Sequence, residues 1–363
     1  MKKKLLALFL ASIMVLSLLA GCGGGNDKNS GGGGNGGNQQ QEENNTPDPA
    51  PAPEGGNDAE PAATGGTIGV CIYKFDDAFM TTYRNALQEI LEGKGYQVTV
   101  VDGNNDQAKQ NEQINTFITQ GVDALIINPV MTSAAATIID TVKTADIPTV
   151  IINREPSAED MAAYDKLVYV GCDAAQSGTF QGELILDTAN KGDINGDGKV
   201  SYIMIQGDPE NIDAKLRTEY SVKALTDAGV EVEELNLTRG DWDREKGQTI
   251  CANDLAQFGD KIEVVFCNND DMAVGALQAI QSAGRKVNED IYLVGVDALD
   301  AALNEVQAGN MTGTVLNDAN GQASQAVKCM EALLGGSTYA AGEQSVYVDY
   351  VKVTPDNVSN FMK

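Results

Sequence analysis

The patterning of this chain predicts an α/β fold: two doubly wound parallel-sheet lobes. Three observations carry that expectation. Short Val/Ile-rich runs alternate with longer amphipathic stretches from Thr67 to the C-terminus, the mark of strands separated by helices. The runs are nearly continuous in apolar character, as in parallel strands covered on both faces. The foldable part is about 300 residues long, the size of two ordinary domains.

In chain order, the first set of strands is expected at Ile68–Tyr73, Gln97–Val101, Ala124–Asn128, Thr149–Ile152 and Val168–Gly171. Helical patterns lie between and after them, at Asp77–Glu92, Gln107–Gln120, Ser133–Thr144 and Gln176–Ala189. The second set is Tyr202–Ile205, Val230–Leu235, Glu263–Cys267 and Tyr292–Val296, followed by Gly313–Leu316 and Tyr347–Val353. Its helices are expected at Ile212–Ala228, Arg244–Gln257, Asp271–Ser282, Ala301–Gln307 and Gly321–Leu334. No fixed-period repeat is visible beyond this alternation.

The N-terminus reads differently. Lys2, Lys3 and Lys4 precede an apolar run from Leu5 to Leu19, which ends at Leu19-Ala20-Gly21-Cys22. A basic start, an apolar run too short to span a bilayer well and small residues at a cleavage point are the parts of an export signal. Leu-Ala-Gly-Cys resembles the lipobox of bacterial lipoproteins, in which the cysteine becomes a lipidated N-terminus. Residues 1–21 are therefore read as a lipoprotein signal peptide and Cys22 as the lipidation site. An ordinary secretory signal would also take the chain out of the cytoplasm. Residues 22–66, rich in Gly, Asn, Gln and Pro, read as a disordered linker, with a reach of roughly 35–40 Å.

Composition excludes several classes of function. The formal charge is −27, and removing residues 1–21 takes away three lysines and no acid, which leaves −30. Such a surface repels phosphate backbones, so nucleic acid is not an expected partner. The chain has no histidine, which excludes His-based zinc sites and Ser-His or Cys-His nucleophiles. Beyond Cys22 five cysteines remain, an odd number without CxxC spacing. They read as small buried hydrophobes rather than a disulfide framework.

The residues that follow the strands carry the chemistry, because open parallel sheets bind ligands outside the carboxyl ends of their strands. Those ends present Asp77 and Phe79, then Asn153, then Asp213 and Arg217, then Asn269, Asp297 and Asn317. Trp242 is the only tryptophan. Carboxylates accept hydrogen bonds, Arg donates them, and Asn does both in one plane. With aromatic plates for the C–H faces, this set suits a sugar. Each residue taken singly also suits a helix cap or a turn.

A second set lies at Asp193-Ile194-Asn195-Gly196-Asp197-Gly198-Lys199-Val200-Ser201. Oxygen donors at positions 1, 3, 5 and 9, a carbonyl at position 7 and Gly at position 6 match the start of a calcium loop. Position 12 is Met204 rather than the bidentate Glu, so this is not a helix–loop–helix site. A solvated turn is the alternative.

Together these segments resemble one family, the periplasmic sugar-binding proteins of type I fold, and within it the glucose/galactose-binding branch that serves ABC importers. The resemblance is carried by Ile72–Met80, Asn153–Ser157, Lys261–Val265 with Asn268–Asp270, Gly295–Leu299 and Gly313–Asn320. It implies sugar contacts at Asp77, Asn153, Asp213, Arg217, Asn269, Asp297 and Asn317, with Phe79 and Trp242 sandwiching the ring. The family commonly has a histidine where Asn211 stands, which bears on the ranking of hexoses. The resemblance also implies that Glu263 completes the calcium loop of Asp193, Asn195, Asp197, Lys199 and Ser201, Ser201 replacing a longer Gln. It implies one lobe from residues 67–172 and 319–347 and another from residues 173–317 and 348–363, with hinge strands near Cys172–Asp173, Asn317–Asp318 and Tyr347–Asp349.

The function so implied is non-enzymatic: a monomer tethered to the membrane through Cys22 that takes glucose or galactose and delivers it to an ABC permease. A sensor that presents sugar to a receptor, or a binder of another monosaccharide, fits the same residues. A glycosidase using Asp77 and Asp213 is the less favoured alternative, because both lie among partners that favour ionised carboxylates. A repressor of the same fold would need an N-terminal DNA-binding helix pair, and a signal peptide stands there instead.

Overall fold

The structure, a computed structural model, describes residues 65–362. The signal peptide, Cys22 and nearly all of the expected linker lie outside the described residues. From Thr67 onward the chain alternates strand and helix as its pattern requires. The first half contains β1 (Thr67–Ile72), α1 (Ala78–Gly93), β2 (Gln97–Asp102), α2 (Gln107–Gln120), β3 (Ala124–Ile127), α3 (Ala135–Thr144), β4 (Thr149–Ile152), a short α4 (Ala158–Met161) and β5 (Leu167–Gly171). The second contains α5 (Ala174–Leu186), β6 (Lys199–Gln206), α6 (Ile212–Asp227), β7 (Glu231–Arg239), α7 (Arg244–Phe258), β8 (Val264–Cys267), α8 (Asp270–Ser282), β9 (Tyr292–Val294) and α9 (Asp300–Gln307). β10 (Thr314–Leu316), α10 (Ala319–Leu334), β11 (Ser345–Tyr347) and β12 (Val351–Val353) finish it.

Two parallel sheets result. The first has the order β11-β5-β4-β3-β1-β2 and the second β7-β6-β8-β9, while β10 and β12 form an antiparallel pair. Single bridges, Val294 to Gly313 and Asp297 to Leu316, place that pair beside β9. Period-2 alternation splits each strand between two cores. Ile68, Val70 and Ile72 face α1 and α10, and Cys71 with Leu125 and Ile127 faces α2 and α3. In the second sheet Ile203 and Ile205 pack toward α7 and α8, and Tyr202 and Met204 toward α5.

One expected element is corrected. Tyr347–Val353 reads as a single strand, but the chain breaks there into β11 and β12. β11 adds to the first sheet beside β5 in parallel, and β12 runs antiparallel to β10. Between them, Val348 N donates to Gly171 O and Tyr350 N to the Gln176 side chain. The backbone is thus satisfied while it leaves one sheet for the other, and continuous β pairing across the gap has no partner. The five described cysteines are free and buried. Burial pushes the Cys71 and Cys251 thiols up to about 12, so they pack as neutral groups.

The start of α7 follows Trp242 and the start of α8 follows Asn269, so the packing of these helices sets the distance between two candidate ligands. They touch backbone to backbone. A Cβ at Gly275 would overlap the Arg244 carbonyl, and one at Gly247 would stand 2.5 Å from the Met272 carbonyl. Gly275→Ala is therefore expected to lower stability by about 1–3 kcal/mol through overpacking. Thermal unfolding reads this, and an unchanged melting temperature would contradict the close helix contact.

Candidate functional site

The residues that end the parallel strands meet around one cavity. Its lining contains all ten residues expected from the sequence: Asp77, Phe79, Asn153, Asn211, Asp213, Arg217, Trp242, Asn269, Asp297 and Asn317. Three more residues line it that sequence reasoning did not assign to the site, Tyr73, Met80 and Arg154. Tyr73 closes an apolar run and reads as core. Arg154 stands next to Asn153 in the turn after β4, and that adjacency was the only available signal.

Helix starts position much of this set. Asp77, Asn211 and Asn269 are the N-caps of α1, α6 and α8. Asp77 Oδ1 accepts from Met80 N at 2.7 Å, and its Oδ2 accepts from the Tyr73 hydroxyl at 2.5 Å. Asn211 accepts from Asp213 N at 3.0 Å and Asn269 from Met272 N at 3.0 Å. Capping and ligand contact do not exclude each other, because each side-chain oxygen keeps a second lone pair. Asn153, Trp242 and Asp297 are held at φ 63°, 66° and 123°. Strained backbone of this kind clusters where side chains must be aimed.

The charged centre is Arg217, one turn after Asp213 on α6. Its Nη2 donates to Asp213 Oδ2 at 3.2 Å and to the Tyr350 hydroxyl at 3.0 Å, and its Nη1 donates to Asn268 O at 2.8 Å. Asp297 Oδ1 stands 3.9 Å from Nη1. Asn317 donates to that same Asp297 oxygen at 3.1 Å and accepts from Gln322 at 2.6 Å. Burial raises the Asp213 and Asp297 carboxyls above the usual range, and Arg217 pulls both back. Burial opposes the Arg217 charge, but Tyr350, Asp213 and Asp297 more than offset it, and its pKa rises. Arg154 lies over the Tyr73 ring, donates to Val130 O and reaches Asp208 Oδ2 at 3.7 Å.

The rings form the apolar part. Phe79 packs edge-on against Tyr83 with centroids 5.9 Å apart. Trp242 lies against Gly207, where any Cβ would run into the indole. The cavity therefore offers acceptors, donors and the rings of Tyr73, Phe79 and Trp242 to one small, polar, hydroxyl-rich molecule.

The loop from Asp193 to Ser201 lies away from this cavity, between α5 and β6. Pairing of β8 with β6 brings Glu263 to it: Oε1 accepts from Ile194 N at 2.7 Å and Asn195 N at 3.0 Å, and Oε2 from Ser201 N at 2.9 Å. Asp193 accepts from Gly196 N and Gly198 N, Asn195 from Asp197 N, and Asp197 from Lys199 N. The Lys199 ammonium is held off on Glu233 at 2.5 Å, and Ser201 Oγ also faces Glu233, at 3.4 Å. The donors are hard oxygens and fit calcium chemically. The acids are turned toward loop amides, and among the described residues no three acids or cysteines are gathered into a chelating group.

The periplasmic binding protein domain model matches residues 68–338. The D-galactose/methyl-galactoside binding periplasmic protein MglB of Haemophilus influenzae is 36% identical over 307 residues, covering 82% of this chain and 92% of that protein. A putative rhizopine-binding protein of Rhizobium meliloti is 34% identical, covering 83% and 94%. Among solved structures, an ABC transporter solute binding protein from Bacillus halodurans with bound myo-inositol aligns with a TM-score of 0.71 at 30% identity, covering 82% of this chain and 96% of that one. The doubly wound α/β architecture agrees with that structure. The chain is a binding protein and not an enzyme, and it belongs to the periplasmic binding protein family.

Proposed function

We propose that this chain captures a neutral monosaccharide, D-glucose or D-galactose, outside the cytoplasm and delivers it as a monomer to an ABC permease. One observation carries the reading: three carboxylates, two guanidiniums, four asparagines and three aromatic rings line a single cavity at the carboxyl ends of both sheets. The rings take the C–H faces of a pyranose, and the polar groups take its hydroxyls. The similarity to a galactose-binding relative supports a hexose. The rhizopine-binding relative and the inositol-bound structure favour keeping a second reading, a different monosaccharide or a cyclitol. Asn211, able to donate but not to protonate, is the residue that bears on the choice.

Titration with D-glucose, D-galactose, D-ribose and myo-inositol separates these readings. Trp242 is the only tryptophan and is 9% exposed, so its emission reports directly on the cavity. Glucose or galactose is expected to change that emission and raise the melting temperature by mass action. If only ribose or inositol does so, the hexose assignment is wrong. Asp77→Asn keeps the α1 cap, since Asn caps as well as Asp. It removes the charged acceptor and is expected to weaken hexose binding by about 1.5–3 kcal/mol. Unchanged affinity would remove Asp77 from the site.

Two further parts of the reading lie elsewhere in the chain. Cys22 carries lipid and anchors the protein to the membrane. Cys22→Ser is expected to release the protein into the medium or leave its signal uncleaved, and a variant that is processed and still fractionates with the membrane like wild type contradicts the anchor. Calcium is held by Asp193, Asn195, Asp197, the Lys199 carbonyl, Ser201 and Glu263, and supplies a cross-link between loop and sheet. Chelation is then expected to lower the melting temperature, and added calcium to restore it. Glu263→Gln should abolish that restoration. A melting temperature indifferent to chelator and calcium would leave the loop a turn held by its own amides.

A further inference from the structure

Asp270 does not line the cavity, yet it touches what holds three of the cavity's residues. It is the first residue of α8, fully buried and directly after Asn269. Its Oδ2 accepts from Leu299 N at 2.9 Å, two residues beyond Asp297. Its Oδ1 accepts from the Thr314 hydroxyl at 2.6 Å, three residues before Asn317. Its own amide donates to Val296 O at 2.7 Å. The carboxylate thus ties the start of α8, the turn after β9 and β10 together at one point.

Two independent features show that the fold is built around this carboxylate. The first is Gly295, where any Cβ would collide with Asp270 Oδ1. Glycine therefore stands where the carboxylate enters. The second is the turn it holds. Asp297 and Ala298 have φ of 123° and 54°, and non-glycine residues adopt such angles only when their surroundings impose them. Leu299, at the start of α9, has no side-chain cap of its own. Burial pushes the Asp270 carboxyl up to about 7, against the pull of Thr314 and of the Leu299 and Ala298 amides. A buried acid is a poor way to gain stability compared with an apolar residue of its size. Its hydrogen bonds instead fix geometry.

We infer that Asp270 is a positioning residue for ligand binding: it holds the strained Asp297–Leu299 turn and the β10 strand so that the Asp297 and Asn317 side chains face the cavity. This rests on the hexose reading for its ligand but not for its geometry. Asn at this position has the same shape. Its carbonyl can take the Leu299 amide, and its NH2 can donate to the Thr314 oxygen. Ala can do neither.

The experiment compares wild type, Asp270→Asn, Asp270→Ala and Thr314→Val. Amide exchange over residues 296–299 and 314–317 is followed in sugar-free protein, and D-glucose or D-galactose affinity is measured by calorimetry. Asp270→Asn is expected to bind within threefold of wild type and to keep its protection. Asp270→Ala should bind at least tenfold more weakly and exchange faster in those two segments, with β1 and α1 unaffected. Thr314→Val, which keeps the Leu299 bond, should fall between them and decides the matter if Asp270→Ala does not fold. The inference is overturned if Asp270→Ala keeps wild-type affinity or protection, if Asp270→Asn is as impaired as Asp270→Ala, or if Thr314→Val equals wild type. Wild type failing to bind any hexose would sink the hexose reading alone, because the exchange comparison still decides the role of Asp270.

Discussion

Arg217 is 3% exposed and sits between carboxylates that burial would otherwise drive toward the neutral form. Burial opposes its charge, and Tyr350, Asp213 and Asp297 around it more than offset that opposition. The chain enters the site around it from three separate stretches: α6 carries Asp213, the turn after β9 carries Asp297, and the segment between β11 and β12 carries Tyr350. Removing the guanidinium would leave two buried acids uncompensated, a far larger penalty than the loss of one ligand contact. The rest of the cavity is arranged about this charge balance.

Economy of parts explains the remainder. Helix starts already need oxygen acceptors for their unpaired amides. The chain places those caps at the carboxyl ends of its strands, so Asp77, Asn211 and Asn269 serve backbone and cavity together. Close backbone approaches then set the distances. Gly207 lets Trp242 approach the backbone, Gly275 and Gly247 bring α7 and α8 together, and Gly295 admits the Asp270 carboxylate.

Much of the fold was legible because the period-2 and helical patterns are strong and the Val/Ile runs are bounded by polar turns. The ten cavity residues were legible because they follow strand ends, where the sheet geometry gathers them, and because the motifs resembled a known family. The rest was hidden for physical reasons. Tyr347–Val353 is rich in Tyr and Val, and the one residue against a strand at the break, Asp349, was outweighed by them; the tertiary path divides the segment between β11 and β12. Arg154 gave no sign of its inward course, which follows the φ of 63° at Asn153. Asp270 looked like one acid in an acidic chain, and its partners Leu299 and Thr314 are 29 and 44 residues away.

The most direct test of this account is a crystal structure of the protein grown with D-glucose or D-galactose. The account expects one sugar ring between Phe79 and Trp242, with hydroxyls within hydrogen-bond reach of Asp77, Asp213, Arg217 and Asp297. A sugar bound elsewhere, or a cavity that excludes both hexoses while taking another ligand on other residues, would contradict it.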